Sequence, residues 1–395
     1  MAVTTLPILI YIDSDRDLAA LAEQLAGEPI LAIDTESNSL YAYREQVCLI
    51  QVSTRSADYI IDPLADEVDV HRLGPLLANP AIEKVFHAAE YDLMCLKRDY
   101  QFTITNLFDT MVAARVCGHK NIGLGTLLAE VAGVSLDKSH QRDDWGKRPL
   151  PADALRYARM DTHYLPQLRD YFAEKLVALG RWEEARESFD DMATVAAAQR
   201  ASFDPEGFWR IATPNQIVRR EAAILRELYI YREEQARQRD VPPFKIMIDK
   251  ALVGLAQAAP TTLADLEKVD GVGPGHVRRY GQGLLAAIRR GQAARMPVVP
   301  AREPPTDPVI VDRYSALREW RKARAQARGV ESDVIVSREA LWALAQRLPA
   351  TPDELRAITS LGAWRASQYG DEILEVLDRF RLPHTNGNGK GEDRA

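Results

Sequence analysis

The sequence predicts an α/β domain with a mixed sheet followed by two all-α bundles, and three observations support this fold class. Strand-like and helix-like segments alternate up to about residue 200, an order typical of α/β domains. No convincing strand follows residue 213. Identical residues then recur at a constant offset of 89 residues, which indicates a duplicated helical module.

The elements of the first part follow from short apolar runs and from apolar residues spaced three and four apart. Strands are expected at Pro7–Ile12, Pro29–Asp34, Val47–Ser53, Asp58–Ile61 and Ile82–His87. Helices are expected at Ser14–Ala26, Val70–Ala78, Glu90–Tyr100, 110–117, 123–132 and 151–178. This first domain should close in helices near residue 200.

The duplicated part begins at about residue 213. Leu228 matches Leu317, and Tyr280-Gly281 matches Tyr369-Gly370, without a slip in register. The two copies should therefore share one length and one fold. The expected organisation is a first domain at 1–200, helical domains at 213–292 and 312–381, a Pro-rich linker at 293–311 and a disordered tail at 384–395.

Charge is divided unevenly along the 395 residues. The whole chain carries a net charge of −7, which by itself argues against a nucleic-acid-binding protein. Residues 1–200 hold 20 Lys and Arg against 31 Asp and Glu, whereas residues 201–395 hold 30 against 26. The second half is thus slightly basic, and the acidity of the first half needs an explanation.

Several protein classes are disfavoured by what the sequence lacks. Cys48, Cys95 and Cys117 show neither metal-site spacing nor a disulfide framework, so a cytoplasmic location is expected. There is no evident secretory signal and no long uncharged apolar run, so no membrane association is expected. There is no GxxxxGK[ST] phosphate loop, so no nucleotide cofactor is expected.

Three short segments place carboxylates where strands and helices meet. Asp34 and Glu36 follow an apolar strand at i and i+2, which puts them on one face. Asp92 falls in the first turn of a helix, and Tyr157 and Asp161 lie four apart on another. Taken singly, each has an ordinary explanation: a turn cluster, a stabilised helix start, or a core tyrosine beside a solvated aspartate.

Taken together, the three segments fit one chemical scheme. Like charges at a strand end are costly unless a cation neutralises them, and hard divalent ions prefer carboxylate oxygens. Four carboxylates can hold two metal ions about 3.5–4 Å apart, which is the arrangement that clamps a phosphodiester during hydrolysis. No Ser-His-Asp or Cys-His arrangement competes convincingly with this interpretation.

These motifs resemble the DEDD superfamily of 3′→5′ exonucleases, in the subclass whose third motif carries tyrosine. The other subclass has histidine at the position of Arg156. Val47–Gln51, Leu107–Thr110 and Asp144–Leu150 resemble the ribonuclease D family in particular. Asp143 is a departure, since relatives often have serine there. The resemblance spans about residues 8–172 and implies a ribonuclease-H-like fold.

The resemblance also implies roles for individual residues. Asp34, Glu36 and Asp161 would bind a first divalent ion, Mg²⁺ or Mn²⁺, with Asp34 bridging to a second. Asp92 would support the second ion, largely through water. Tyr157 and Glu36 would position the attacking water and the 3′ end. The product would be a 5′-mononucleotide.

Neighbouring residues receive plainer interpretations. Asp109 is expected to cap a helix rather than to act as a fifth ligand, and His87 to be a satisfied core histidine. Trp145 is expected to be a packing anchor. Lys147 and Arg148 are candidate phosphate contacts, although a solvated loop explains them nearly as well.

The segments at 213–292 and 312–381 resemble the HRDC module, which follows the catalytic domain in the ribonuclease D family. In the first copy, Gly271, Gly275, Arg278 and Arg279 are candidates for RNA contact, because a glycine-rich turn before a helix can present backbone amides to phosphate. Gly273 matches Gly362 and is interpreted as architectural.

The resulting expectation is a monomeric metal-dependent exoribonuclease that acts on RNA, and on tRNA precursors in particular. Two alternatives stay open. The carboxylates alone do not distinguish RNA from DNA, so a proofreading-type DNA exonuclease is one alternative. The other is an RNA-binding scaffold whose nuclease domain is inactive.

Overall fold

A computed structural model of the chain describes residues 6–137, 139–199, 202–213, 216–301 and 304–381. Its first part contains one six-stranded sheet in the order β1-β4-β3-β2-β5-β6. The strands are β1 (Leu9–Ile12), β2 (Ile30–Ser37), β3 (Val47–Ser53), β4 (Asp58–Ile61), β5 (Glu83–Phe86) and β6 (Leu107–Asp109). Two pairings, β2–β3 and β3–β4, are antiparallel and the other three are parallel, so the predicted mixed sheet is confirmed.

Among the described residues, eight α-helices belong to the same part of the chain as the sheet. They are α1 (Asp15–Leu25), α2 (Gly74–Ala78), α3 (Glu90–Tyr100), α4 (Thr110–Val116), α5 (Leu124–Val131), α6 (Ala152–His163), α7 (Leu165–Ala178) and α8 (Trp182–Ala193). The single helix expected at 151–178 is wrong, because the chain breaks at Tyr164. Pro166 sits in the first turn of α7, where its missing N–H costs nothing, whereas inside a continuous helix it would remove a hydrogen bond.

The second part is helical in every described residue that has regular structure after 213. The first bundle consists of α9 (Arg219–Arg239), α10 (Pro243–Ile246), α11 (Asp249–Ala258), α12 (Leu263–Leu266) and α13 (Pro274–Ala293). The second bundle consists of α14 (Pro308–Arg328), α15 (Ser332–Ile335), α16 (Arg338–Arg347), α17 (Pro352–Arg356) and α18 (Ala363–Asp378). All five helix starts repeat at an offset of 89 residues, as the sequence predicts.

The connection between the bundles is shorter than the predicted linker. Residue 293 still belongs to α13 and residues 308–311 already belong to α14. Pro308 begins α14 because proline fits the first helical position. The tail predicted at 384–395 lies outside the described residues.

The α/β domain and each of the two bundles have their own apolar core. The second bundle also contributes one side chain to the core of the α/β domain. Val334, on α15, is buried among the core side chains of the α/β domain. On the other side, Tyr43 of the α/β domain packs against the core of the first bundle. Within the described residues, no helix is both long and apolar enough to span a bilayer.

Candidate active site

A cluster of three carboxylates lies where β2 meets α6. Asp34, Glu36 and Asp161 each offer an oxygen, and these oxygens lie within 4.8 Å of one another. Asp34 and Glu36 pair with Gln51 and Leu49 across the antiparallel ladder, so both are held on a central strand. The strand continues to Ser37 rather than ending at Asp34 as predicted. The cluster is therefore built on rigid backbone.

Asp92 lies next to this cluster in the first turn of α3. It is buried, with 7% of its surface exposed, and the hydroxyl of Thr35 donates a hydrogen bond to its Oδ1. Thr35 sits between Asp34 and Glu36 on β2. The Thr35 side chain thus connects the motif of Asp92 to the motif of Asp34 and Glu36. Sequence reasoning missed Thr35, although a hydroxyl between two carboxylates was a signal that could have drawn attention.

Tyr157 stands four residues before Asp161 on α6 and borders the same site. A cleft of about 350 Å³ runs beside it and is lined by Leu136, His140, Arg156, Tyr157 and Asp161, among others. Behind Tyr157 lies Trp145, with ring centroids 6.1 Å apart. Trp145 is 1% exposed, which confirms its interpretation as a packing anchor. The cleft gives a substrate access to Tyr157 and to Asp161.

The electrostatics of the site are those of like charges removed from water. Burial and the neighbouring Asp161 and Asp92 raise the pKa of Glu36 to about 9. Burial, with repulsion from Asp92, raises the pKa of Asp161. The pKa of Asp34 is raised by burial and by all three neighbours. Such a set is stabilised by a bound cation, and its hard oxygen donors fit Mg²⁺ or Mn²⁺.

The same negative surroundings affect the phenol of Tyr157. Burial and the adjacent carboxylates raise the pKa of its phenol. The hydroxyl therefore stays protonated near neutral pH, where it can orient a water molecule through a hydrogen bond but does not act as a base.

Asp109 and His87 have structural partners, as the sequence indicates. The Asp109 carboxylate accepts hydrogen bonds from the amides of Met111 and Val112, 2.8 and 3.1 Å away, and so caps α4. It also accepts from the Ala89 amide at 2.7 Å, which fixes the turn before α3. His87 Nδ1 lies 2.9 Å from the Thr110 hydroxyl.

The two candidate phosphate contacts in the loop before α6 differ. Lys147 is exposed, with 77% of its side chain accessible. Arg148 donates to both oxygens of Asp62, at 2.5 and 2.6 Å, and to the carbonyls of Trp145, Lys147 and Cys48. All its donors are used, so the assignment of Arg148 as a phosphate contact is wrong. Arg148 instead fastens this loop to the end of β4, which sequence reasoning missed.

The glycine-rich turn of the first bundle also departs from its interpretation. Gly271 has φ of +84°, and an added Cβ would lie 3.1 Å from that of Ala251, so this position requires glycine. Gly273 has an ordinary φ of −86° and open space around it. In the first copy Gly271, rather than Gly273, is the architectural glycine. Gly275, Arg278 and Arg279 are exposed and lie away from the carboxylate cluster in the chain.

The fold and the carboxylate cluster together define a 3′–5′ exonuclease. Residues 9–177 match the family model of the 3'-5' exonuclease domain, and residues 221–288 and 311–377 match the HRDC domain. The chain is 30% identical to ribonuclease D of Gluconacetobacter diazotrophicus over 96% of each protein. It is 32% identical to ribonuclease D of Jannaschia sp., covering 93% of this chain and 95% of that protein.

A solved structure agrees with these relatives. The structure of Escherichia coli RNase D aligns with a TM-score of 0.66 and 25% identity, over 94% of this chain and 99% of that one. The chain belongs to the ribonuclease D family and is a 3′→5′ exoribonuclease.

Proposed function

We propose that this exoribonuclease trims the 3′ ends of tRNA precursors, releasing 5′-mononucleotides by a two-metal-ion mechanism. The observation that carries the mechanism is the cluster of Asp34, Glu36 and Asp161, whose raised pKa values mark a site made for cations. The resemblance to ribonuclease D and the paired HRDC domains support RNA with a structured body as the substrate.

Each residue has a defined task in this proposal. Asp34, Glu36 and Asp161 would hold one ion, and Asp34 with Asp92 would hold the other. Bound divalent ions would supply Lewis-acid stabilisation of the charge on the phosphate and an activated water. Tyr157 would orient that water with its protonated hydroxyl. Thr35 would hold Asp92 in place, because a hydrogen-bonded ligand is oriented before the ion arrives.

We further propose that the protein acts as a cytoplasmic monomer. The free thiols of Cys48, Cys95 and Cys117 support a reducing compartment. The candidate RNA contacts that remain outside the catalytic cluster are Lys147, Gly275, Arg278 and Arg279, together with backbone amides near Gly271.

The test is mass analysis of the products from a 3′-extended tRNA incubated with the protein and Mg²⁺. We expect 5′-mononucleotides and a stepwise shortened tRNA. The Asp161→Asn variant should lose turnover but still bind RNA. The matched control is Asp190→Asn, which alters an exposed aspartate on α8, away from the cleft. Native turnover by Asp161→Asn would refute the site, and faster removal of a matched DNA overhang would refute the RNA substrate.

A further inference from the structure

Two aromatic rings of the loop before α6 pack against Tyr157. The ring centroid of His140 lies 5.8 Å from that of Tyr157, with an angle of 55° between the two planes. The ring centroid of Trp145 lies 6.1 Å away. Both distances are typical of aromatic pairs, which hold rings in preferred orientations. The catalytic tyrosine is therefore in contact with two residues that the proposed mechanism does not use.

The position of the Tyr157 hydroxyl depends on this packing. Across the residues that the structure describes, no protein group forms a hydrogen bond with this hydroxyl. Rotation about the side-chain bonds of Tyr157 would move the hydroxyl unless neighbouring groups restrict the ring. Trp145 is buried in a core, whereas His140 borders the cleft and needs a partner to be held.

Asp143 is the partner that holds His140. The imidazole Nδ1 donates a hydrogen bond to Oδ2 of Asp143 at 2.6 Å. The Asp143 amide donates to the His140 carbonyl at 3.0 Å, which closes the turn that brings the two side chains together. The hydrogen bond to Asp143, with the negative charges of Asp143, Asp153 and Asp137, raises the pKa of His140. A charged partner thus holds the imidazole in one orientation.

The loop that carries this pair is itself fastened to the α/β domain. The Tyr41 hydroxyl donates to the carbonyl of Arg142 at 2.6 Å, and Tyr41 belongs to the segment that follows β2. Further along the loop, the guanidinium of Arg148 binds Asp62 at the end of β4. His140 is thus carried by a fixed segment, so it can restrict the Tyr157 ring instead of moving with it.

The pair depends on the aspartate at position 143, where relatives often have serine. A serine hydroxyl is one bond nearer to the backbone than a carboxylate oxygen, and it carries no charge. It would therefore bind the imidazole more weakly than Asp143 does. The pair of His140 and Asp143 is thus an addition to the motif residues on which the resemblance rests.

We propose that His140, held by Asp143, is a positioning residue for Tyr157. The pair acts through the direction of the phenol hydroxyl and does not itself touch the reacting atoms. This proposal rests on the proposed function, since it takes Tyr157 as the residue that orients the attacking water. Without the pair, the phenol samples more orientations, so bound substrate is hydrolysed more slowly while its binding is unchanged.

The test measures kcat and KM of the full chain on a short single-stranded oligoribonucleotide with Mg²⁺. The variants are His140→Ala, Asp143→Ala and Tyr157→Phe, together with each of the first two combined with Tyr157→Phe. Asp143→Asn is the conservative variant, because its amide oxygen still accepts a hydrogen bond from Nδ1. The matched control is Gln141→Ala, which alters an exposed residue of the same loop.

We expect Tyr157→Phe to lower kcat at least about tenfold. His140→Ala and Asp143→Ala should each lower kcat about five- to tenfold, with KM within about twofold of native. In the Tyr157→Phe background the same changes should lower kcat by less than about twofold further, because no hydroxyl is left to position. Asp143→Asn should recover most of the rate, and Gln141→Ala should have the native rate.

A second measurement follows the pair without turnover or metal. The imidazole signals of the histidines are titrated by NMR in EDTA, and the His140 signal is identified by its absence in His140→Ala. Asp143→Ala should lower the pKa of His140, whereas Gln141→Ala should leave it at its native value. An unchanged pKa in Asp143→Ala would overturn the pair, even if His140→Ala does not fold well enough for kinetics.

Two kinetic results would overturn the positioning role. Losses of equal size in the native and Tyr157→Phe backgrounds would mean that His140 acts independently of the phenol. A raised KM with native kcat would make His140 a substrate contact instead. Native turnover by Tyr157→Phe is a different failure, because it would refute the proposed role of Tyr157 and with it any need to position the phenol.

Discussion

Replacing Arg328 by methionine should release the second bundle from the α/β domain. Glu184 is fully buried, and its two oxygens accept hydrogen bonds of 2.9 and 2.5 Å from the Arg328 guanidinium. In Arg328→Met the Glu184 carboxylate is still buried away from water, but the positive charge that compensates it is gone. Breaking a buried pair from one side costs about 3–5 kcal/mol, which shifts the equilibrium towards undocking by a factor of about 150 to 5,000.

The control for this change is Arg324→Met, on the same helix. Arg324 pairs with Glu372 but is 41% exposed, and exposed pairs contribute about 1 kcal/mol or less. Hydrogen exchange of the amides in α8 and α18 is the assay, because it reports local opening without assuming two-state unfolding of three domains. A second control, the double variant Glu184→Gln, Arg328→Met, removes the stranded charge and should recover part of the loss.

The expected result is faster exchange in α8 and α18 for Arg328→Met, with little change for Arg324→Met. Exchange in the sheet strands β2 and β3 should be nearly unaffected. Equal protection in the two single variants would refute the reasoning, because it would mean that the buried pair contributes no more than an exposed one.

Two further predictions concern the catalytic cluster. Glu36 has a pKa of about 9 in the folded protein against 4.5 in an exposed glutamate, so the stability it contributes is complete below pH 4.5 and is lost as the pH rises towards 9. In EDTA, Glu36→Gln should therefore melt higher than the wild type at pH 9 and equally at pH 4; a wild type that melts higher than Glu36→Gln at pH 9 would contradict this. Thr35→Val should lower activity about tenfold and raise the Mn²⁺ concentration for half-maximal rate, because Asp92 loses its hydroxyl partner. Thr35→Ser should retain both values, and native metal dependence in Thr35→Val would remove the positioning role.

The main features of the fold could be predicted because they depend on local patterns. Alternating apolar runs predict the strands, and the offset of 89 residues predicts two sets of helices that begin at equivalent positions. The strand β6 was missed because three residues, Leu107–Asp109, are too few to show a period. The strand β6 forms because it pairs in parallel with β5, where Val85 lies opposite Phe108. This pairing is a tertiary contact, which a local sequence pattern does not show.

Some residues of the candidate site could likewise be predicted from the sequence, and others could not. The carboxylates and Tyr157 could be named because residue type and order identify them. The roles of Thr35 and Arg148 could not, because their partners lie 57 and 86 residues away in the chain. For Arg148 the sequence indicates only a cation in a loop. Whether that cation faces solvent or a buried aspartate depends on how the loop packs against β4.

The anchoring of the second bundle has a consequence for how the chain folds during synthesis. Glu184 and Glu187 meet partners that are 144 and 178 residues further along. When α8 leaves the ribosome, its two glutamates and the core edge that receives Val334 are still uncovered. At about 5–20 residues per second, synthesis of the intervening residues takes roughly 7 to 36 seconds, and only then is the second bundle available to cover this surface. The nuclease therefore matures only when nearly the whole chain has been translated.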